Sequence, residues 1–444
     1  MTELHNVSKA AIKKTLTYRY YIFVVIAIAY FLIYFHRTST AVMAPELVST
    51  FGISTTTVGF LGSLYFYAYA LGQLPAGILA DRWGARKTLT LFVTIMGLGA
   101  IVFGMAENLD IVLIGRFLVG LGAGFVFVPI TRLLADWFRR NEFAVYVGIL
   151  TATGNIGSLA SSAPMVILMA VIGWRSTMSA IGAVSLLAAL LIYIVVRNKP
   201  GEIGGASIAA IENIEAVSVT PLGIIESLKI LLRKYNFWTI AIMFFVLYGT
   251  IMGFQGLWGG PFLINVYHLT NEQAGKLLML IPIGMIPGCI ISGILADKVV
   301  KSRKKVSVAG LFCYILTWIP LVIWTDSMSL GFIKILLFAY GLFGGIFTLM
   351  SANLQENLDL RMIGTGLGVL NFFAFSGGAV YQQVMAGIID KAPVFNNLIA
   401  VSGFRNAYIF CLVTLILALV FYCTQNDVSL AAKNKGMNRE NVRK

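Results

Sequence analysis

Charge is scarce in this sequence of 444 residues. Only 12% are Asp, Glu, Lys or Arg, whereas 58% are hydrophobic; a soluble domain carries roughly 25% charged residues. That is too little charge to cover a soluble globule of this length, which excludes a soluble enzyme and a disordered chain alike. Acidic residues are rarer still, 19 against 33 basic. The four cysteines, Cys289, Cys313, Cys411 and Cys423, fall inside apolar runs without paired spacing. Neither a disulfide framework nor a metal site is expected from them. No nucleophile–base pair, metal-ligand cluster or nucleotide loop is found, so no enzyme activity and no cofactor are expected. No cleavable signal peptide is expected either, because residues 1–19 are fairly polar and no small-residue cleavage site follows the first apolar run.

Long apolar runs are what the sequence has in quantity. Runs of about twenty residues indicate membrane-spanning helices, since hydrocarbon tolerates only structures that satisfy their own backbone hydrogen bonds. Barrel strands would alternate instead. The runs fall at 20–43, 57–80, 88–106, 109–134, 143–170 and 174–196, then at 237–264, 274–297, 305–325, 330–355, 364–389 and 404–424. The expected architecture is all-α, with twelve transmembrane helices in two pseudo-symmetric six-helix bundles, 20–196 and 237–424. A tail (1–19), a polar linker (197–236) and a basic tail (425–444) complete the chain. Within the linker, which holds Glu202, Glu212, Glu215 and Pro221, the Glu226–Lys234 stretch reads as a short helix on the membrane surface.

Lysine and arginine set the orientation. With both termini cytoplasmic, the inner side holds most of the 33 basic residues, in clusters at Arg82/Arg86/Lys87, Arg139/Arg140, Lys298–Lys305 and Lys433–Lys444. The outer side keeps Arg175, Lys276, Lys334, Lys391 and Arg405. This asymmetry accounts for the net charge of +14 without a nucleic-acid partner. Membrane lipid is the expected surrounding, a bacterial inner membrane the expected location, and a monomer the expected state.

An internal repeat supports two halves. Gly77-Ile78-Leu79-Ala80-Asp81-Arg82-Trp83-Gly84-Ala85-Arg86-Lys87 follows the second helix, and Gly293-Ile294-Leu295-Ala296-Asp297-Lys298, with Arg303-Lys304-Lys305, follows the eighth. At these residues the chain resembles the major facilitator superfamily of secondary transporters, whose G-x-x-x-D-R-x-G-x-R-K loop is complete at Gly77–Lys87. Arg116-Phe117-Leu118-Val119-Gly120-Leu121-Gly122, Asp136-Trp137-Phe138, Gly173-Trp174-Arg175 and Gly364-Thr365-Gly366-Leu367-Gly368 are similar to further family elements. The resemblance covers essentially the whole chain. It implies alternating access, with the loop after the second helix latching the cytoplasmic side. Gly77, Asp81, Arg82, Gly84, Arg86 and Asp297 are the candidate gating residues, Asp81 as the latch; Lys87 and the Lys298–Lys305 run read as topology charges.

Chemistry is sought in ionisable residues inside the spans, where charge is costly. The first span holds Tyr34-Phe35-His36-Arg37-Thr38-Ser39 and the fourth holds Arg116, while no acidic residue lies mid-membrane; Glu46 is roughly 13 Å beyond Arg37. Two buried arginines without an evident acidic partner point to an anionic substrate. Arg37 also resembles the anion-binding arginine of the organophosphate and organic-anion branches, in which small polar residues and a proline follow, here Thr38 to Pro45. Some organic-anion symporters carry an aspartate just before that arginine; His36 stands there instead, as the candidate proton site. The seventh span has no arginine where the resemblance to phosphate-ester exchangers implies one, which argues against a phosphate ester, and Gln73 stands where nitrate transporters carry one.

Tyr34, Arg37, His36, Arg116, Tyr65, Gln255, Trp258, Asn371 and Gln382 are therefore the candidate substrate-binding residues, with Arg116 open between ligand and structural fixture. The leading expectation is a secondary transporter of a small organic anion of carboxylate type, with proton symport. Efflux of an amphipathic compound such as a drug or siderophore, and a transporter-like ligand receptor, are the alternatives.

Overall fold

The structure of the protein, a computed structural model, describes residues 8–212, 224–358, 362–395 and 398–426. Glu215, Pro221 and the basic tail from 427 onward lie outside these residues. In chain order the long helices are α1 (Lys9–Phe51), α2 (Thr55–Trp83), α3 (Ala85–Gly104), α4 (Leu109–Trp137), α5 (Arg140–Ala160), α6 (Ala163–Val195), α7 (Tyr235–Tyr267), α8 (Asn271–Val299), α9 (Arg303–Ile323), α10 (Leu330–Glu356), α11 (Ile363–Ile389) and α12 (Val401–Cys423). Ten of them are long and apolar enough to cross a membrane, and α2 and α5 take the second and fifth places in the order. The protein is thus an all-α, integral multi-pass membrane protein. Among the described residues the only strands are a two-residue hairpin, Val394–Phe395 with Leu398–Ile399.

Several boundaries follow from local backbone chemistry. Gly173 adopts φ 76°, a left-handed conformation that glycine reaches without a Cβ penalty, and it breaks α6 there. The part of α6 before Gly173 carries on from α5 past a turn at Ser161–Ser162, so the expected spans 143–170 and 174–196 meet at this glycine. In α7 the residues Phe254–Trp258 form a π-turn, the distortion that the glycine-rich stretch around Gln255 and Trp258 accommodates. Within the linker a short helix runs over Ile224–Arg233. At 43 residues, α1 is roughly 64 Å long, about twice the hydrocarbon thickness of ~30 Å, so its first turns project beyond the bilayer.

The chain divides into two compact units, Met1–Ser39 with Leu64–Thr220, and Thr40–Ser63 with Pro221–Lys444. In the first, α3 packs along α4 and α6 through glycines whose missing side chains let backbones touch. A Cβ on Gly99 would come 2.7 Å from the Val119 nitrogen, and one on Gly115 2.6 Å from the Phe103 nitrogen. Near the lysine-bearing end of α1, Arg19 donates to both Glu142 oxygens at 2.6 and 3.2 Å. Burial pushes the Glu142 carboxyl up, but hydrogen bonds from Arg19 and the Arg139 amide outweigh it and hold it below the usual carboxylate range.

The second unit is built around rings. Phe254 lies 5.3 to 6.2 Å, centroid to centroid, from Phe262, Trp318, Tyr340 and Tyr408, and the Tyr340 hydroxyl donates to the Thr250 carbonyl. The tip of the α1–α2 hairpin belongs to this unit. Its Thr56 hydroxyl donates to Asp390 at 2.8 Å, and Gly62 lies so close to α11 that a Cβ there would stand 2.5 Å from the Gln382 Oε1.

Candidate functional site

The candidate cation site in the first unit is assembled on α1. Glycines on two neighbouring helices allow the approach. Gly154 of α5 faces the Tyr34 ring, and Gly120 of α4 faces the Tyr65 backbone so closely that any Cβ would collide with it. Thr38 donates to the Tyr34 carbonyl at 3.0 Å and pairs with the Ser161 hydroxyl, which ties α1 to the end of α5.

Arg37 is 4% exposed and held by aromatic faces. Its guanidinium carbon lies 4.2 Å from the Tyr34 ring centroid and 5.4 Å from that of Tyr69, and Tyr65 is near enough to interact with its charge. Tyr65, fully buried, donates its own proton to the Ile33 carbonyl at 3.3 Å. Its ring also carries Arg116, whose guanidinium carbon is 4.6 Å from the centroid. One tyrosine therefore connects the two buried arginines. Flat faces of negative potential hold a guanidinium without neutralising its charge.

Arg116 is 1% exposed and donates from Nη1 to the His36 carbonyl at 2.8 Å; its Nε and Nη2 find no hydrogen-bond partner among the described residues. His36 is fully buried and turned towards α6, where Nε2 lies 3.3 Å from the Ser185 hydroxyl. Ser185 also lies within hydrogen-bond distance of the Ile181 carbonyl, an arrangement that suits an imidazole with its proton on Nε2. Nδ1 has no partner among the described residues. Gln73 donates to the Gly124 carbonyl at 2.8 Å, satisfying a carbonyl where α4 is interrupted.

The candidates of the second unit form a separate, neutral group. The Trp258 indole donates to the Gln382 carbonyl at 3.0 Å, and Gln382 Nε2 donates to the Met252 carbonyl just before the π-turn, also at 3.0 Å. Gln255 sits inside that turn, 9% exposed. Among the described residues, no partner is found for the Oε1 atoms of Gln255 and Gln382. Asn371 is half-buried on α11.

Of the gating candidates, the Asp81 side chain lies outside the described residues. Gly77 is open to within 3.9 Å of Val128, and Arg82 is exposed. Gly84 has φ 84° and lies against Asn198. Arg86 donates from Nε and Nη2 to the Tyr193 carbonyl at 2.9 and 2.6 Å, and its amide donates to Asn198 Oδ1 at 2.9 Å. In the second copy Asp297 lies in a π-turn and pairs with Arg303 at 3.2 Å; Arg303 also reaches Glu356 at 3.3 Å and the Ala352 carbonyl at 2.8 Å. Sequence reasoning had not singled out Ser161, Ser185, Asn198 or the Arg19–Glu142 pair. Ser185 carries one usable signal, a hydroxyl within an apolar run.

Comparison with known proteins accords with this architecture. The profile of the family described as Major Facilitator Superfamily matches residues 26–381. "Probable sulfoacetate transporter SauU" of Cupriavidus necator is 23% identical, over 88% of this chain and 92% of its own. The "Hexuronate transporter" of Bacillus subtilis is 25% identical, over 83% and 88%. Among solved structures, the crystal structure of a D-xylose-proton symporter superimposes with a TM-score of 0.72 at 14% identity, covering 92% of this chain and 98% of that one.

Proposed function

The chain belongs to the major facilitator superfamily, and we propose that it moves a small carboxylate-bearing metabolite through the membrane by alternating access, with Arg37 as the anion's ligand. The observation that carries this reading is the buried Arg37 guanidinium, oriented by the Tyr34 and Tyr69 faces and by Tyr65. A planar fork of donors matches a carboxylate and is worth most where water is excluded. The two relatives support the class, since sulfoacetate and hexuronates share a carboxylate and little else. Nothing in these relatives favours drug efflux or a ligand receptor.

In this reading Arg116 is a fixture, committed through Nη1 to the His36 carbonyl, whose charge adds to the field felt by the anion. Gln255, Gln382 and Asn371 offer neutral hydrogen bonds suited to substrate hydroxyls, while Trp258, its N–H spent on the Gln382 carbonyl, offers only its ring face. Bundles 20–196 and 237–424 act as the alternating bodies, both termini face the cytoplasm of a bacterial cell, and Asp81, Arg82, Gly84, Gly77, Arg86 and Asp297 belong to the gate. The coupling ion is the proton and His36 its carrier: an imidazolium beside Arg116 is best tolerated when the substrate's negative charge is present, so anion and proton favour each other's binding.

Thermal stability of the purified protein against carboxylates, sugar acids, phosphate esters and amphipathic neutral compounds tests the class. A ligand at a hundred times its Kd stabilises by about 2.7 kcal/mol. The expected result is a carboxylate that stabilises wild type and not Arg37→Ala. Stabilisation of both proteins by neutral amphipathic compounds alone would overturn the anion reading.

A further inference from the structure

We propose that the projecting start of α1 is a binding site for one anionic phospholipid, with its headgroup at Lys9 and Lys13 and its acyl chain along the helix face that follows. An open recess of about 420 Å³ is lined by Lys9, Ile12, Lys13, Leu16, Thr17, Arg19 and Tyr20 of this helix. The same exposed face continues inwards through Tyr20, Val24 and Ile28, 48%, 57% and 38% exposed. Steps of four residues place Leu16, Tyr20, Val24 and Ile28 on one ridge that winds slowly around the helix away from Lys13. From the two lysines onto this ridge the chemistry runs from cationic through amphipathic to aliphatic, which is the order of a phospholipid from headgroup to chain.

Dimensions agree with that occupant. Lys13 to Ile28 spans roughly 22 Å of helix, and one leaflet of hydrocarbon is about 15 Å thick. Lys13 therefore stands at headgroup level when Ile28 lies deep in the leaflet, with Tyr20 near the boundary, where tyrosine is favoured. Lys9 and Lys13 are exposed and make no ion pair with an acidic side chain among the described residues. Arg19, at the edge of the recess, is spent on Glu142. Two ammonium groups one turn apart, with no acidic partner among the described residues, suit a phosphodiester, and basic residues beside an anionic membrane surface attract its headgroups. Lys14, one residue further, does not line the recess and provides an internal control.

Native mass spectrometry of the full chain, released from mixed phosphatidylglycerol and phosphatidylcholine micelles, tests the site. Wild type and K14Q are expected to retain one phosphatidylglycerol in preference to phosphatidylcholine. The double variant K9Q/K13Q is expected to lose that preference, by roughly thirtyfold if each lysine contributes as a basic residue near an anionic surface does. K9R/K13R, which keeps the charge, should restore it. Equal retention by K9Q/K13Q and wild type overturns the proposal, as does an equal loss in K14Q, which would mean bulk attraction. Displacement of the lipid by an equimolar amount of inorganic phosphate would identify a free-anion site and overturn it as well.

Discussion

The surroundings of Arg37 in the first unit and of Gln382 in the second are both buried, both polar, and differ in kind. Around Arg37 the protein keeps charge and surrounds it with tyrosine faces, so the net positive potential survives burial. Around Gln382 it keeps only amides, and uses them to hold helices: one Gln382 donor satisfies the Met252 carbonyl ahead of the π-turn, and the Trp258 indole satisfies the Gln382 carbonyl. Burying a cation costs several kcal/mol, burying an amide much less. In the proposed function, the larger cost accepted in the first region is the one that would select an anion, and the second region would be left to shape and hydroxyl recognition.

The sharpest way to break this contrast is to remove the charge. Arg37→Ala is expected to lower uptake of the true substrate about a hundredfold, the scale of hydrogen bonds to a charged group, whereas Gln255→Ala should cost tenfold or less. Comparable losses in initial-rate transport assays would erase the distinction. A packing comparison comes next. Gly120→Val drives a side chain into the Tyr65 backbone, while Gly256→Ala meets only the movable end of Gln382 at 2.9 Å. The first should destabilise by ~1–3 kcal/mol, the second by less, as read from melting in detergent.

A smaller effect concerns His36. His36→Gln should leave substrate binding within a few fold and flatten the pH dependence of accumulation; an unchanged pH profile removes it as proton carrier. The smallest effect lies at Glu142. Its carboxyl is held below the usual range in the folded state, so the Arg19 pair contributes stability above the ordinary carboxylate value near 4, lost as pH falls through the lowered one. Acid-limb melting curves of wild type and Glu142→Gln should converge at low pH; parallel curves would mean that the pair contributes nothing.

Much of this was legible beforehand because lipid leaves few choices. The span order and the break at Gly173 within α6 could be read from hydrophobic runs and a glycine. The prominence of Arg37 and Arg116 could be read from charge where charge is costly. The resemblance marked Arg86 as a gating candidate, but its anchor could not be read: the carbonyl of Tyr193 and the side-chain oxygen of Asn198 that hold it lie more than a hundred positions away. The π-turn at Gln255 was equally hidden, because glycine permits bending without specifying where a hydrogen bond slips.

By itself the sequence determined the solvent, the class and the family of this protein, because twenty-residue apolar runs, a one-sided distribution of lysine and arginine and a repeated loop admit few other structures. Only the tertiary structure decided what each buried polar group does. His36 and Arg37 are neighbours in sequence, yet about 100° of helix rotation separates them. One is thereby committed to Ser185 and the other to a box of tyrosines. Which partner lies in each direction is set by how closely glycines let α4 and α5 approach α1 and α2, and that is a property of packing between distant segments.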